Sequence, residues 1–216
     1  MTTDKIVITI DGLSINGKTT LAKMLASSLN ITFFNTGAVY RCLALYVIEN
    51  GLDINNLEEI LPIIKRLNID FIDGDVYLNN VNVSDKIKTE EISYYSTKWA
   101  NIKEIKETVC DILRNYIKDH DVVMEGRDIG ARIAPNATIK FHIYADFETR
   151  LKRLSNNQKD IDIEELRNNL LIRDDLDLNG GNFAKPESAV EIDTTNYSLE
   201  EVYDIMLSEI NKRISS

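Results

Sequence analysis

The stretch Gly12-Leu13-Ser14-Ile15-Asn16-Gly17-Lys18-Thr19 constrains this chain more than any other, because it matches the pattern G-x-x-x-x-G-K-[ST]. Before it, Lys5 to Ile10 reads Lys-Ile-Val-Ile-Thr-Ile, a β-branched run expected of a strand buried on both faces. After it, Leu21, Met24, Leu25 and Leu29 recur at three- and four-residue steps, so a helix is predicted from Gly17 to Leu29. A strand feeding a glycine-rich turn into a helix N-terminus aims backbone N–H groups at an anion, and the helix adds its positive end. The pattern assigns Lys18 to the β- and γ-phosphates of ATP and the Thr19 hydroxyl to Mg²⁺. Gly12, Ser14, Ile15, Asn16, Gly17 and Thr20 complete the expected cofactor-binding loop.

Strands and helices alternate through the rest of the chain. Ile31 to Phe34 reads as a strand, and Ala38 to Glu49 as a helix stopped by Asn50-Gly51. Leu57, Ile60, Leu61 and Ile64 mark a helix expected to bend or restart at Pro62. From Asn68 to Val83 the pattern alternates around Asp73-Gly74 and Asn79-Asn80, which predicts a small antiparallel insertion. Helices follow at about Thr89 to Trp99 and Ile102 to Lys118, then strands at Asp121 to Met124 and Thr138 to Tyr144. A basic helix carries Arg150, Lys152 and Arg153, and Ile163 to Leu176 is helical up to a polar Asn179-Gly180-Gly181-Asn182 loop. Ala189 to Ile192 gives a last strand, and Ser198 with Glu201 forms a capping box opening the terminal helix. Alternation of this kind implies an α/β fold with a mainly parallel sheet covered on both sides.

Composition narrows the function classes. The 216 residues fit one compact domain, and the net charge of −10 argues against broad affinity for nucleic acid or membrane. A small phosphorylated ligand needs only a local basic cluster and is unaffected. Cys42 and Cys110 have no metal-site or disulfide spacing, so two reduced, packed thiols are expected. His120 and His142 lack a zinc-binding spacing. The N-terminus lacks a signal peptide's charged and apolar regions, and no apolar run reaches membrane-spanning length, so the expected location is cytoplasmic.

Three further segments narrow the kind of nucleotide protein. No [NT]-K-x-D segment is present to read guanine, and the chain is too short and unrepeated for a motor, which leaves a small phosphotransferase. Asn35-Thr36-Gly37-Ala38-Val39-Tyr40-Arg41, Glu125-Gly126-Arg127-Asp128-Ile129-Gly130 and Arg173-Asp174-Asp175-Leu176-Asp177 resemble, in order, three segments of bacterial cytidylate kinases. The resemblance covers nearly the whole chain, hairpin insertion included. It implies a three-layer P-loop sandwich with a helical lid and a small antiparallel insertion in the part that binds the monophosphate. The implied division of the chain is a core of 1–37, 119–150 and 185–216, a monophosphate-binding insertion of about 38–118, and a lid of about 151–184. It implies ATP and Mg²⁺ as cofactors, a nucleoside monophosphate as partner, no nucleic acid, no membrane, and a monomer.

The site residues can be weighed one by one. Arg127 closes a strand beside Gly126, where α/β folds place ligands, and paired arginines grip a phosphate through forked hydrogen bonds. Arg41 lies on a helix with an apolar opposite face, so it points either outward or into a cleft. By resemblance, Thr36, Arg41, Arg127 and Asp128 bind CMP, with Thr97 and Lys106 also on the acceptor side. Glu125 takes the place of an acidic group near the metal, although a structural strand-end carboxylate fits equally. Arg150 and Arg153 either hold ATP phosphates or form a solvated basic face. Arg173 resembles a lid arginine that stabilises the transferring group, and Asp177 would orient the arginines or touch the substrate. Trp99 and the Tyr94-Tyr95 pair read as packing residues.

The chain departs from the family pattern at four places. Ile15 and Leu13 stand where the loop usually has Gly and Pro, and a β-branched residue resists positive φ. Lys106 stands for an arginine that reads the base and cannot make its bidentate fork. The Asn179-Gly180-Gly181 stretch lacks a lid arginine, for which Lys185 is a candidate substitute, and Asn35 replaces an aspartate. The leading expectation is transfer of the ATP γ-phosphoryl group to CMP or dCMP. A modified cytidylate or another small acceptor, and a nucleotide-binding regulatory protein without transfer, are the alternatives.

Overall fold

The structure is a computed structural model that describes residues 5–72, 74–181 and 183–214. A five-stranded, all-parallel sheet forms the centre, in the order β2-β6-β1-β7-β8. Its strands are β1 (Val7–Asp11), β2 (Thr32–Asn35), β6 (Val122–Gly126), β7 (Ile139–Tyr144) and β8 (Val190–Asp193). β1 is fully buried along its length, the reason for its unbroken β-branched run.

Successive strand residues point to opposite layers, so the sheet has two packed faces. Val7, Val122 and Met124 join a core with α2 (Thr36–Glu49), α4 (Glu90–Trp99) and α5 (Lys103–Tyr116). Ile8, Ile10 and Val123 join the opposite core, with α1 (Lys18–Leu29) and α8 (Leu199–Ile214). These are the three layers expected of the α/β pattern. The antiparallel insertion is also present, as β3 (Ile69–Ile72), β4 (Asp75–Leu78) and β5 (Val81–Asn82). Asp73, half of its first turn signal, lies outside the described residues. Trp99 is buried at the end of α4, whereas Tyr94 is 62% exposed with its ring edge against Tyr95.

Two local expectations need correction. Pro62 neither restarts nor breaks α3 (Leu57–Ile64), which passes through it and ends two residues later at the Lys65 cap. The helix expected to stop near Leu176 continues: α7 runs Ile163–Asn179, and Asn179 donates to Asp175 Oδ1 one turn back. In addition, Ile129–Ile133 is a single π-type turn with no sequence signal of its own. It is held from afar, because Asp11 accepts the Ile129 and Gly130 N–H groups at 2.7 and 2.8 Å.

α6 (Phe147–Asn157) and α7 pack into a separate small core of Leu151, Leu154, Leu166 and Leu170, forming a helical lid hairpin. At the start of α8 the capping box is reciprocal: Ser198 N–H donates to Glu201 Oε2 and Glu201 N–H to Ser198 Oγ. Cys42 and Cys110 are unpaired and buried, and burial pushes the Cys42 thiol up to about 12, so both stay packed thiols.

Candidate active site

The loop after β1 is held in shape by the end of β7. A Cβ on Gly12 would lie 2.1 Å from the Ile143 carbonyl oxygen, so no other residue fits there. Asn16 is 2% exposed and donates Nδ2 to that same carbonyl at 3.2 Å. Its amide nitrogen is therefore tied to the sheet, while its Oδ1 is buried without a hydrogen-bond partner among the described residues. Gly17 caps α1 in the left-handed region at φ 84, placing Lys18, Thr19 and Thr20 in the first helical turn.

Ile15 is left-handed too, at φ 64. The β-branched side chain was expected to keep φ negative or alter the loop; instead the backbone takes the strained conformation, at a cost of order 1–3 kcal/mol. Its side chain packs on the lid core of Leu151, Leu154, Leu166 and Leu170. The loop is not collapsed: a cavity of about 590 Å³ lies over it, lined by Ile15 to Leu21, Arg153, Thr194, Tyr197 and Leu199 among others.

Lys18 is 8% exposed and donates Nζ to the Leu13 carbonyl at 2.6 Å. Burial lowers its ammonium pKa from 10.5 to about 8, with nearby Arg127 pushing the same way and Glu125 opposing. The site therefore holds a desolvated cation that gains from an arriving anion. Asp11 carries the opposite strain, since burial raises its carboxyl to about 6 against the pull of the Gly130 and Ile129 N–H groups.

Around Glu125 three chain segments meet. Its Oε1 accepts from Thr19 Oγ1 at 3.0 Å and Asn35 Nδ2 at 2.9 Å, and its carbonyl accepts from Thr36 Oγ1 at 3.2 Å. Asn35 also accepts the Ala38 N–H through Oδ1, capping α2. An amide does both tasks at once: its oxygen caps the helix while its nitrogen donates to the carboxylate. Glu125 and Thr19 bring two hard oxygen donors within contact, the kind of ligand Mg²⁺ takes.

Arg127 joins the sheet, the loop and the lid. Its Nε donates to Asp177 Oδ2 on α7, and Nη2 donates to Ser14 Oγ at 3.0 Å. Arg150 is not on a solvated basic face: it is 4% exposed and forms a two-pronged pair with Asp174 at 2.9 and 2.5 Å. Its Nη1 also reaches the Ser14 carbonyl at 3.4 Å. Arg153 bonds Thr194 Oγ1 and the Thr194 carbonyl at the cavity wall.

Asp128 is 8% exposed between Lys106, at 3.1 Å, and Arg132, at 2.7 Å. Both cations also donate to the Gly181 carbonyl just past α7, at 3.3 and 2.9 Å. Lys185, the candidate substitute for the lid arginine, pairs with Glu191 at 2.6 Å, both side chains about half exposed. Arg41 is half-buried, Arg173 is exposed, and neither guanidinium has a hydrogen bond or ion pair to the other described residues. Thr97 is exposed; its hydroxyl donates to the Ser93 carbonyl and its own carbonyl accepts from Asn101 Nδ2, so neither of these contacts brings it to the site.

Sequence reasoning missed Asp11, Asp174 and Arg132. Arg132 carried one usable signal, its spacing of four from Asp128. Asp174 and Asp11 act on partners 24 and 118 positions away, beyond any local pattern.

Comparison with known proteins settles the family. The model of the family described as cytidylate kinase matches residues 8–212. The chain belongs to the cytidylate kinase family. Among the relatives of this cytidylate kinase family member, a cytidylate kinase of Fusobacterium nucleatum subsp. nucleatum is 35% identical, covering 97% of this chain and 99% of its own. One from Thermotoga maritima is 37% identical over 97% of this chain and 98% of its own. An uncharacterized protein of Eubacterium ventriosum shares the fold with a TM-score of 0.56 and 14% identity, over 97% and 99% of the two chains. TT1252 of Thermus thermophilus does so with 0.51 and 18%, over 96% and 98%. No helix among the described residues is long and apolar enough to cross a membrane.

Proposed function

We propose that this phosphotransferase moves the γ-phosphoryl group of ATP to CMP or dCMP, giving ADP and CDP or dCDP. The observation that carries the reading is the position of Arg127. It bonds the phosphate loop through Ser14 and the lid through Asp177, and its neighbour Asp128 is the carboxylate of the acceptor side. A phosphoryl group passing between the two sides meets this guanidinium, which matches its planar array of oxygens with a fork of donors.

The residues divide the work as follows. Loop amides and the α1 N-terminus hold the donor's phosphates, and Lys18 supplies the charge at the β- and γ-positions. Thr36, Arg41 and Arg127 hold the monophosphate. Asp128 sits between Lys106 and Arg132 and would face a base that offers an amino group. Arg173 approaches from the lid, while Asp177 orients Arg127. Thr19 and Glu125 would hold Mg²⁺, whose charge would neutralise the transferring group when bound. Transfer is direct and in line, so positioning and exclusion of water do the catalysis without a covalent nucleophile.

In this reading residues 38–118 form the monophosphate-binding part and 151–184 the lid on a core of 1–37, 119–150 and 185–216. The enzyme works as a monomer in the cytoplasm. A panel of CMP, dCMP, UMP, AMP and 5-substituted cytidylates, followed by ADP release, tests it. CMP or dCMP should turn over fastest; preference for another acceptor would reassign the substrate. ATP binding with no ADP formed from any monophosphate would leave a binding protein without transfer.

A further inference from the structure

Two adjacent loop residues, Ser14 and Ile15, touch the lid in different ways. Ser14 receives Arg127 on its hydroxyl and Arg150 on its carbonyl, and these arginines are in turn paired with Asp177 and Asp174 of α7. Ile15, partly buried, packs against the small core formed by Leu151 and Leu154 of α6 and Leu166 and Leu170 of α7. It does so from a backbone conformation that its branched Cβ disfavours, φ 64. Glycine would hold this backbone without strain, so the isoleucine is explained by what its side chain touches rather than by the turn.

We propose that Ile15 is a positioning residue that couples the phosphate loop to the lid. With it, the α6–α7 hairpin is seated over the loop before any nucleotide arrives, and Arg150, Arg173 and Asp177 travel with it. The lid does not need the donor's phosphates to find its place, so part of the ordering is complete at the moment of binding. Removing the side chain relieves backbone strain while releasing the hairpin. A residue that only fills core would behave differently, because its loss would weaken the molecule as a whole.

The inference rests on the proposed function only in taking the loop as the seat of the donor's phosphates. Its test has an arm that needs no turnover: hydrogen exchange on the full-length, nucleotide-free protein, comparing wild type with Ile15→Gly and Ile15→Val. Ile15→Gly should speed exchange in residues 147–179 about tenfold, the weight of roughly two buried methylene groups. Exchange in the central strands should stay as in wild type, and Ile15→Val should keep the lid protected. In steady state, Ile15→Gly should raise the KM for ATP by about tenfold and change kcat by less than about threefold. Unchanged lid exchange, protection lost equally from the sheet, or an unchanged KM would each overturn the proposal. If ATP is not the donor, wild type itself fails the kinetic arm while the exchange arm still reads the coupling.

Discussion

Lys18→Met tests whether the loop keeps a charge at the expense of stability. Lys18 is buried, and its pKa falls from 10.5 to about 8, chiefly through desolvation. That gap corresponds to about 3 kcal/mol of penalty for holding the ammonium charged at pH 7. Methionine is close in length and apolar, so the substitution removes the penalty with little change in packing. It also removes the bond to the Leu13 carbonyl at 2.6 Å, a loss of about 1.5 kcal/mol. The net expectation at pH 7 is a variant more stable than wild type by about 1–2 kcal/mol, read by urea unfolding. Between about 8 and 10.5 the folded wild type binds fewer protons at Lys18 than the unfolded chain, so wild-type stability rises with pH there. The variant's advantage should therefore be full at pH 7 and much reduced at about pH 9.5. Phosphoryl transfer should fall by about 10²–10³, the usual effect of losing one preorganised donor. A variant less stable than wild type at pH 7, or an advantage independent of pH, would refute the reasoning.

Other variants probe single contacts. Asn35→Asp turns the donor facing Glu125 into a second carboxylate 2.9 Å away; melting at pH 7 in a chelator should show a loss of about 1–3 kcal/mol, partly restored by Mg²⁺. Arg150→Met leaves the partly buried Asp174 carboxylate unpaired and should cost about 3 kcal/mol in urea unfolding, with Arg150→Met/Asp174→Leu recovering at least half. A single variant within about 1 kcal/mol of wild type would contradict that assignment. Gly12→Ala drives a methyl group into the Ile143 carbonyl at 2.1 Å, so thermal unfolding should come several degrees lower and transfer should be lost.

Much of the architecture was legible because its signals are local. The β1 run, the glycine pattern and the α1 apolar spacing each need only a few consecutive residues, and so does the Ser198–Glu201 capping box. Of the candidate site residues, the structure brings Thr19 to Glu125 and Arg127 to Ser14 and Asp177, but that wiring was not legible in the sequence. Arg150 reads as one member of a basic helix until Asp174, a lid residue 24 positions on, takes both its prongs. The π-type turn has no periodicity because its order comes from Asp11, at the far end of a different strand. Ile15 misled in a more instructive way: intrinsic preference opposes its backbone, and packing on the lid overrides it.

The account turns on one event, passage of a phosphoryl group from the loop side to the Asp128 side. Phosphorus NMR of ATP mixed with CMP, or with dCMP, enzyme and Mg²⁺ observes it directly. The γ-signal should decline as the β-signal of CDP or dCDP grows in equal amount. Growth of inorganic phosphate in its place, or a γ-signal that persists beside intact CMP and dCMP, would contradict it.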